Sequence, residues 1–288
     1  MIRSQRAGSF LVIRTVQALA DGEYKGLTLN EYIEKAGKGV LGKNCERFEN
    51  FPILIKLIDA KDNLSVQVHP DNDYAMRVEG EYGKTEMWYV VDCDEGATLL
   101  YGFKHEITKE EFARRIADNT LLEVTNAVPV KKGDVFFIKS GTLHAIGKGI
   151  LIAEIQQNSN TTYRIYDYGR VGKDGKPREL HVDKALDVTK LAPAEQYPET
   201  PVEKKDGYDI KLLSKCEYFT TYRVNVETKA ELDADENSFN SILVLEGEPV
   251  ISGGETVSAK KGESVFISAG TGKYTVEGKC TFVLTKID

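Results

Sequence analysis

The stretch Lys131-Lys132-Gly133-Asp134-Val135-Phe136-Phe137-Ile138-Lys139-Ser140-Gly141-Thr142-Leu143-His144 returns 129 residues later as Lys260-Lys261-Gly262-Glu263-Ser264-Val265-Phe266-Ile267-Ser268-Ala269-Gly270-Thr271-Gly272-Lys273, with seven of fourteen positions identical. Each copy is a glycine-acid turn feeding a short apolar run that a second glycine closes. Apolar and β-branched runs bounded by turn residues read as strands. Others are Ile53 to Ile58, Met87 to Val91, Thr98 to Tyr101 and Gly149 to Ala153. Short strands at this spacing predict a barrel or sandwich, and the repeat predicts two barrels.

Helices interrupt the pattern at three places. Thr28 with Glu31, and Thr108 with Glu111, have capping-box spacing and start helices over 29–36 and 109–117, and 182–188 is a third. Asp174-Gly175-Lys176-Pro177 is a turn signal, and the Pro/Glu/Lys-rich stretch from Pro193 to Gly207 reads as a linker. The expected division is therefore 1–192 and 193–288.

At 288 residues, 41% hydrophobic and 29% charged, the chain has the balance of a soluble globular protein. No stretch approaches the ~20 apolar residues of a membrane span. The apolar run after Met1-Ile2-Arg3-Ser4-Gln5-Arg6, Phe10 to Ile13, is too short for a secretory signal. Cys45, Cys93, Cys216 and Cys280 lack CxxC pairing and read as reduced thiols of a cytoplasmic protein, without a zinc role. A net charge of −7 argues against nucleic-acid binding, so a phosphorylated ligand must be drawn by a local cluster of cations.

The chain has four histidines, and two fall in an arrangement of metal-binding residue types. Gln67 and His69 are two apart, so on a strand they leave the same face. Glu86 opens the apolar run Met87 to Val91, and His144 closes the turn-strand unit quoted above. Two imidazoles, a carboxylate and an amide oxygen suit zinc or another borderline divalent ion, with a position left for water or substrate. In the second copy Lys273 stands in place of His144, and nothing like Gln67-Val68-His69 precedes it, so the second barrel is expected to be metal-free.

Gln67-Val68-His69-Pro70, Gly83-Lys84-Thr85-Glu86-Met87-Trp88-Tyr89, Gly141-Thr142-Leu143-His144-Ala145 and Thr162-Tyr163-Arg164-Ile165-Tyr166-Asp167-Tyr168 together resemble type I mannose-6-phosphate isomerases of the cupin superfamily, in their short bacterial form. The resemblance runs from about Glu23 to the C-terminus. It implies a mainly β chain of two cupin-type (jelly-roll) β-barrels with a few short helices: a catalytic, metal-binding domain over 1–192 and a metal-free one over 193–288. It also implies one zinc per chain and a phosphosugar substrate, mannose 6-phosphate or fructose 6-phosphate, interconverted through an enediolate. Two departures are visible. Lys139 stands where the second cupin motif usually has proline. The Trp-Gly-Gly and Trp-Glu segments at the family's start are absent, as if roughly thirty N-terminal residues were missing, and Trp88 is the only tryptophan.

Moving a proton between adjacent carbons needs a base, charge stabilisation on two oxygens and a grip on the remote end of the sugar. Arg164 sits among aromatic residues that can wall a sugar pocket, and the resemblance implies that it is the active-site arginine. A salt bridge to Asp167 is the competing role. Lys56 lies in an otherwise apolar strand, Ser65 two residues before Gln67, and Lys84 two before Glu86. These three match family positions near the substrate and form a plausible phosphate cradle. Glu154 matches an acidic pocket residue and is the candidate base, with Lys84 as rival. Two other functions fit a cupin site: an iron-dependent dioxygenase, against which Gln67 and the cluster of Lys56, Lys84 and Arg164 argue, and a non-catalytic sugar-phosphate-binding module.

Overall fold

The computed structural model describes residues 26–172 and 175–288, so the N-terminal apolar run and Asp174 of the predicted turn lie outside the described residues. The chain divides into two compact units. One holds Ile55–Tyr197; the other joins 26–54 to Pro198–Asp288.

The strands of the first barrel are β1 (Ile53–Ala60), β2 (Val66–Val68), β3 (Glu86–Cys93), β4 (Thr98–Phe103), β5 (Thr125–Pro129), β6 (Val135–Ile138), β7 (His144–Ala145), β8 (Ile150–Gln157) and β9 (Tyr163–Tyr166). They form two sheets, ordered β1-β8-β3-β6 and β5-β4-β7-β2-β9. The sheets face each other across a core of Ile58, Trp88, Val90, Ile150 and Ile152 from one side and Leu99 and Tyr101 from the other. The opposite face of the second sheet is covered by α3 (Lys109–Ala117) and α4 (Val182–Val188), which follow α1 (Leu29–Ala36) and α2 (Asn72–Val78) in the chain. Val66, Val68, Leu143, Ala145, Tyr163 and Ile165 pack there with Phe112 and Ala185. Because side chains alternate along a strand, burying these pairs turns the residue between each pair, Gln67, His144 and Arg164, to the barrel's interior.

The second barrel adds β10 (Val202–Lys204), β11 (Tyr208–Lys215), β12 (Thr220–Val226), β13 (Lys229–Ala234), β14 (Asn240–Gly247), β15 (Val250–Gly253), β16 (Glu255–Ser258), β17 (Ser264–Ile267), β18 (Gly272–Glu277) and β19 (Cys280–Lys286). Its sheets are ordered β10-β11-β12-β19-β14-β17 and β13-β18-β15-β16 around a core that includes Val224, Ile242, Val244, Phe282, Ile251 and Val276. The repeat is exact at the level of backbone bonds. Gly133 N–H donates to Val90 O at 2.8 Å as Gly262 N–H does to Val244 O at 2.7 Å, and Val90 and Val244 return bonds to the carbonyls of Asp134 and Glu263. The Asp134 and Glu263 carboxylates accept from Lys131 and Lys260 N–H, each at 2.9 Å. The register then matches Glu86, which pairs with Ile138, to Asn240, which pairs with Ile267. Asn240 is buried and donates to Tyr274 Oη and Asp233 O, while Lys273, in the place of His144, is exposed.

The three predicted helices occur with the expected bounds, and Thr28 and Glu31 close a capping box. α2, which follows Pro70 and is seven residues long, was not among the expected helices. Asp71 caps it, accepting from Tyr74 N–H at 2.9 Å. The stretch predicted as a linker carries a strand, β10, paired to β11. The expected boundary grouped 26–54 with the first domain, whereas these residues pack within the unit of the second barrel. Lys43 and Asn44 N–H donate to Glu236 and Asn237 carbonyls, Phe239 N–H to Leu41 O, and Ala269 N–H to Val40 O. The joint needs Gly42: its φ is +88°, and a Cβ there would lie 2.4 Å from Asn237 O.

Candidate active site

Strand register assembles the polar end of the first barrel. Gln67 on β2 pairs with His144 on β7 to one side and Arg164 on β9 to the other, so three predicted site residues form a row on the inner face. On the facing sheet Glu86 pairs with Gln156 and Trp88 with Glu154. The β8 sequence Ile152-Ala153-Glu154-Ile155-Gln156 explains this: the inward face changes from isoleucine to acid and amide within one strand.

Turns bring the two sheets' ligands together. Gly83 has no room for a side chain, since a Cβ would lie 2.3 Å from the Asp71 carbonyl carbon. Lys84 N–H then donates to Pro70 O at 3.0 Å, and Gly141 N–H to His69 O at 2.8 Å. These bonds pin the starts of the Glu86 and His144 segments to the His69-Pro70 turn.

His69, Glu86 and His144 are fully buried, and one potential ligand atom from each lies within 4.8 Å of the others. His69 Nδ1 sits 3.0 Å from Thr161 O, and His144 Nδ1 2.8 Å from Thr142 O. A carbonyl only accepts, so each Nδ1 carries the hydrogen and each Nε2 presents a lone pair. Burial, helped by Lys84, His144 and Lys56, holds the His69 imidazole well below its usual range despite the Thr161 bond. Burial likewise takes His144 down to about 4. Both rings are therefore neutral at pH 7. Their Nε2 atoms face the Glu86 carboxylate at 3.6 Å (His69) and 3.3 Å (His144). All four atoms are buried without a hydrogen-bond partner.

Lone pairs aimed at a carboxylate in a buried site repel unless a cation lies between them. A tetrahedral ion bonded at about 2.0–2.2 Å holds its ligand atoms about 3.3–3.6 Å apart, and each Nε2 lies in that range from one of the two Glu86 oxygens. The donor set thus fits a divalent metal. Gln67, half-buried and in register with His144, stands beside the triad.

Lys84, also buried, forms an ion pair with Glu86 Oε2 at 3.1 Å. Burial opposes its charge, but Glu86 and Glu154 outweigh it and raise its pKa, so the ammonium stays protonated. Lys56 donates to Glu154 Oε1 at 2.8 Å and to Gln156 Oε1. Trp88 Nε1 donates to Glu154 Oε2 at 2.9 Å, and the indole meets the His144 ring edge-on at 5.2 Å. Burial would push Glu154 up, yet Lys56 and Lys84, with the bonds from Lys56 and Trp88, hold it far down, at about 2. Burial reinforced by Glu154 pushes Glu86 the other way, to about 7, against Lys84 and Lys56. Ser65 is buried just before β2.

Arg164 does not pair with Asp167. That carboxylate is taken by Arg170 and Arg178, with Nε atoms at 3.1 and 2.7 Å. Arg164 Nη1 donates to Glu179 O at 3.1 Å, and its Nε is buried with no partner. Sequence reading missed Trp88, Gln156 and the two carbonyls that orient the imidazoles. The alternation of polar residues in β8 was the available signal for Gln156; no local signal marks a backbone carbonyl.

Residues 13–96 match the family model described as phosphomannose isomerase type I, catalytic domain, and residues 209–287 that of the mannose-6-phosphate isomerase cupin domain. The chain is 38% identical to mannose-6-phosphate isomerase ManA of Bacillus subtilis (strain 168), over 99% of this chain and 91% of that protein. It is 37% identical to mannose-6-phosphate isomerase of Streptococcus mutans, over 92% and 84%. The crystal structure of the mannose 6-phosphate isomerase from Bacillus subtilis superposes with a TM-score of 0.87 at 37% identity, covering 93% of this chain and 84% of that one.

Proposed function

The chain belongs to the type I phosphomannose isomerases, and on that premise we propose that it interconverts mannose 6-phosphate and fructose 6-phosphate through an enediolate, with one zinc per chain held by Gln67, His69, Glu86 and His144. The observation that carries the metal is the set of unpartnered Nε2 and carboxylate atoms in a buried triad. Bound there, the ion supplies Lewis-acid polarisation of the sugar's carbonyl and hydroxyl oxygens.

The remaining charges support a phosphosugar. Lys56 and Lys84 balance Glu86 and Glu154, so a divalent cation and Arg164 leave the pocket clearly positive, which favours the anion of a phosphate monoester near neutral pH. In this reading Lys56, Lys84 and Ser65 receive the substrate, and Arg164 offers its unpartnered Nε–H to an oxygen that gains charge. Glu154 is a poor base in this state, with one oxygen on Lys56 and the other on Trp88. It accepts a proton only after one of these donors turns to the substrate. Lys84, held protonated by its two carboxylate neighbours, is placed to give a proton. Catalysis belongs to the first barrel; the second, with Asn240 and Lys273 at the matching positions, holds no metal. Among the described residues no helix is long and apolar enough to cross a membrane, and we assign the chain to the cytoplasm.

The test is a metal assay by atomic absorption together with coupled isomerisation of mannose 6-phosphate, on the full chain and on His144→Ala. Wild type is expected to carry one zinc and turn over, and His144→Ala to lose both. Iron with oxygen consumption would indicate a dioxygenase. Tight binding of mannose 6-phosphate without turnover would indicate a binding module.

A further inference from the structure

We propose that His181 is a positioning residue that fixes Arg164 in its working orientation. The inference rests on the reading of Arg164 as a substrate-facing group.

Among the described residues β9 is the edge of its sheet, with β2 on one side only. An edge strand presents alternate residues whose N–H and C=O both point outward and need partners. At Arg164 one residue supplies both. His181 N–H donates to Arg164 O at 2.8 Å, and Arg164 N–H donates to His181 Nδ1 at 3.2 Å. The second bond requires Nδ1 to be the unprotonated nitrogen, so an imidazole side chain stands in for the carbonyl of a neighbouring strand. Two residues earlier, Glu179 O accepts from Arg164 Nη1. Backbone and guanidinium are thus held by one short segment, and the Nε–H remains for a ligand.

The clamp is itself anchored. His181 precedes α4, where Ala185 N–H donates to His181 O at 3.0 Å, and Ala185 is fully buried in the helix-covered core. The His181 ring also lies 6.1 Å from that of Tyr163, beside Arg164 on β9. A loose edge strand would let the guanidinium swing; a strand bonded on both sides delivers it at one depth.

The test is a double-mutant cycle with metal content and thermal melting measured on every variant. His181→Ala keeps the backbone N–H bond and removes only the side-chain acceptor. It is expected to lower kcat by roughly tenfold, the value of one lost hydrogen bond, with a smaller change in KM. His181→Asn, which places an amide oxygen near the position of Nδ1, should recover most of that loss. In an Arg164→Ala background, His181→Ala should cost nothing further, because its effect passes through Arg164. Wild-type kcat in His181→Ala overturns the proposal. So does an equal loss with and without Arg164, or an Asn variant that is folded yet no better than Ala. If Arg164→Ala alone leaves kcat unchanged, the role of Arg164 itself fails, and that single variant identifies the case.

Discussion

Trp88 and Glu154 face each other across the β3–β8 register, and the indole N–H donates to Glu154 Oε2 at 2.9 Å. With Lys56 on the other oxygen, a fully buried carboxylate is kept ionised by two donors from two strands. The same indole packs against His144. One side chain therefore links the charged pair deep in the barrel to the metal-binding triad.

Trp88→Phe keeps most of the ring and deletes the donor. A charged buried acceptor that loses one partner costs about 1–3 kcal/mol, so the melting temperature should fall by several degrees. Turnover should survive the change, because losing one donor is what lets Glu154 accept a proton. The check is a thermal melt beside steady-state kinetics. An unaltered melting temperature would mean that the bond contributes nothing.

The two barrels were legible because their signal is local: a glycine-acid turn, an apolar run and a second glycine, repeated 129 residues on. Three helices were legible for the same reason, each starting at a capping residue or an amphipathic run. Among site residues, His69, Glu86 and His144 could be read because few residue types bind metals. Lys56 stood out because lysine is costly in an apolar strand. The packing of 26–54 within the second barrel's unit could not be read. It depends on backbone bonds from Leu41, Lys43 and Asn44 to residues about 195 positions away, and backbone groups leave no trace in residue identity. The competing role for Arg164, a salt bridge to Asp167, is not formed. Arg164 is near in sequence, but an extended strand turns it to the opposite side, and the chain returns through Arg170 and Arg178.

Metal binding should release a proton at mildly acidic pH. Glu86 lies at about 7 without an ion, through burial and the nearby Glu154, and must ionise to ligate. His144, down at about 4, and His69, lower than usual, are already neutral there. Zinc affinity should therefore rise with pH up to about 7 and then level off. Calorimetry at pH 6 in two buffers of different ionisation enthalpy should report a released proton that has largely vanished at pH 8. Equal release at both pH values would remove Glu86 from the ligand set.

Gly42→Ala tests the seam between residues 26–54 and the second barrel. Its φ of +88° disfavours any side chain, and the added carbon would meet Asn237 O at 2.4 Å. A loss of more than about 1 kcal/mol is expected, seen as a lower midpoint in urea. Gly39 is the control, because a Cβ there meets nothing within 4 Å. Equal midpoints for Gly42→Ala and Gly39→Ala would mean that the segment does not pack as described.

Arg164 separates grip from catalysis. If its unpartnered Nε–H meets an oxygen that becomes charged only as the proton moves, Arg164→Ala should depress kcat on the order of 10²-fold or more with a smaller change in KM. If it grips the phosphate equally in ground and transition states, KM should rise while kcat survives. Arg164→Lys distinguishes charge from shape. It keeps the positive charge but loses the planar fork, so it can no longer bond Glu179 O and the substrate through separate nitrogens of one rigid group. Partial activity in the lysine variant, with one metal still bound, is the expected result. Full activity in both variants would show that the row from His144 through Gln67 to Arg164 is a feature of the sheet and not of the chemistry.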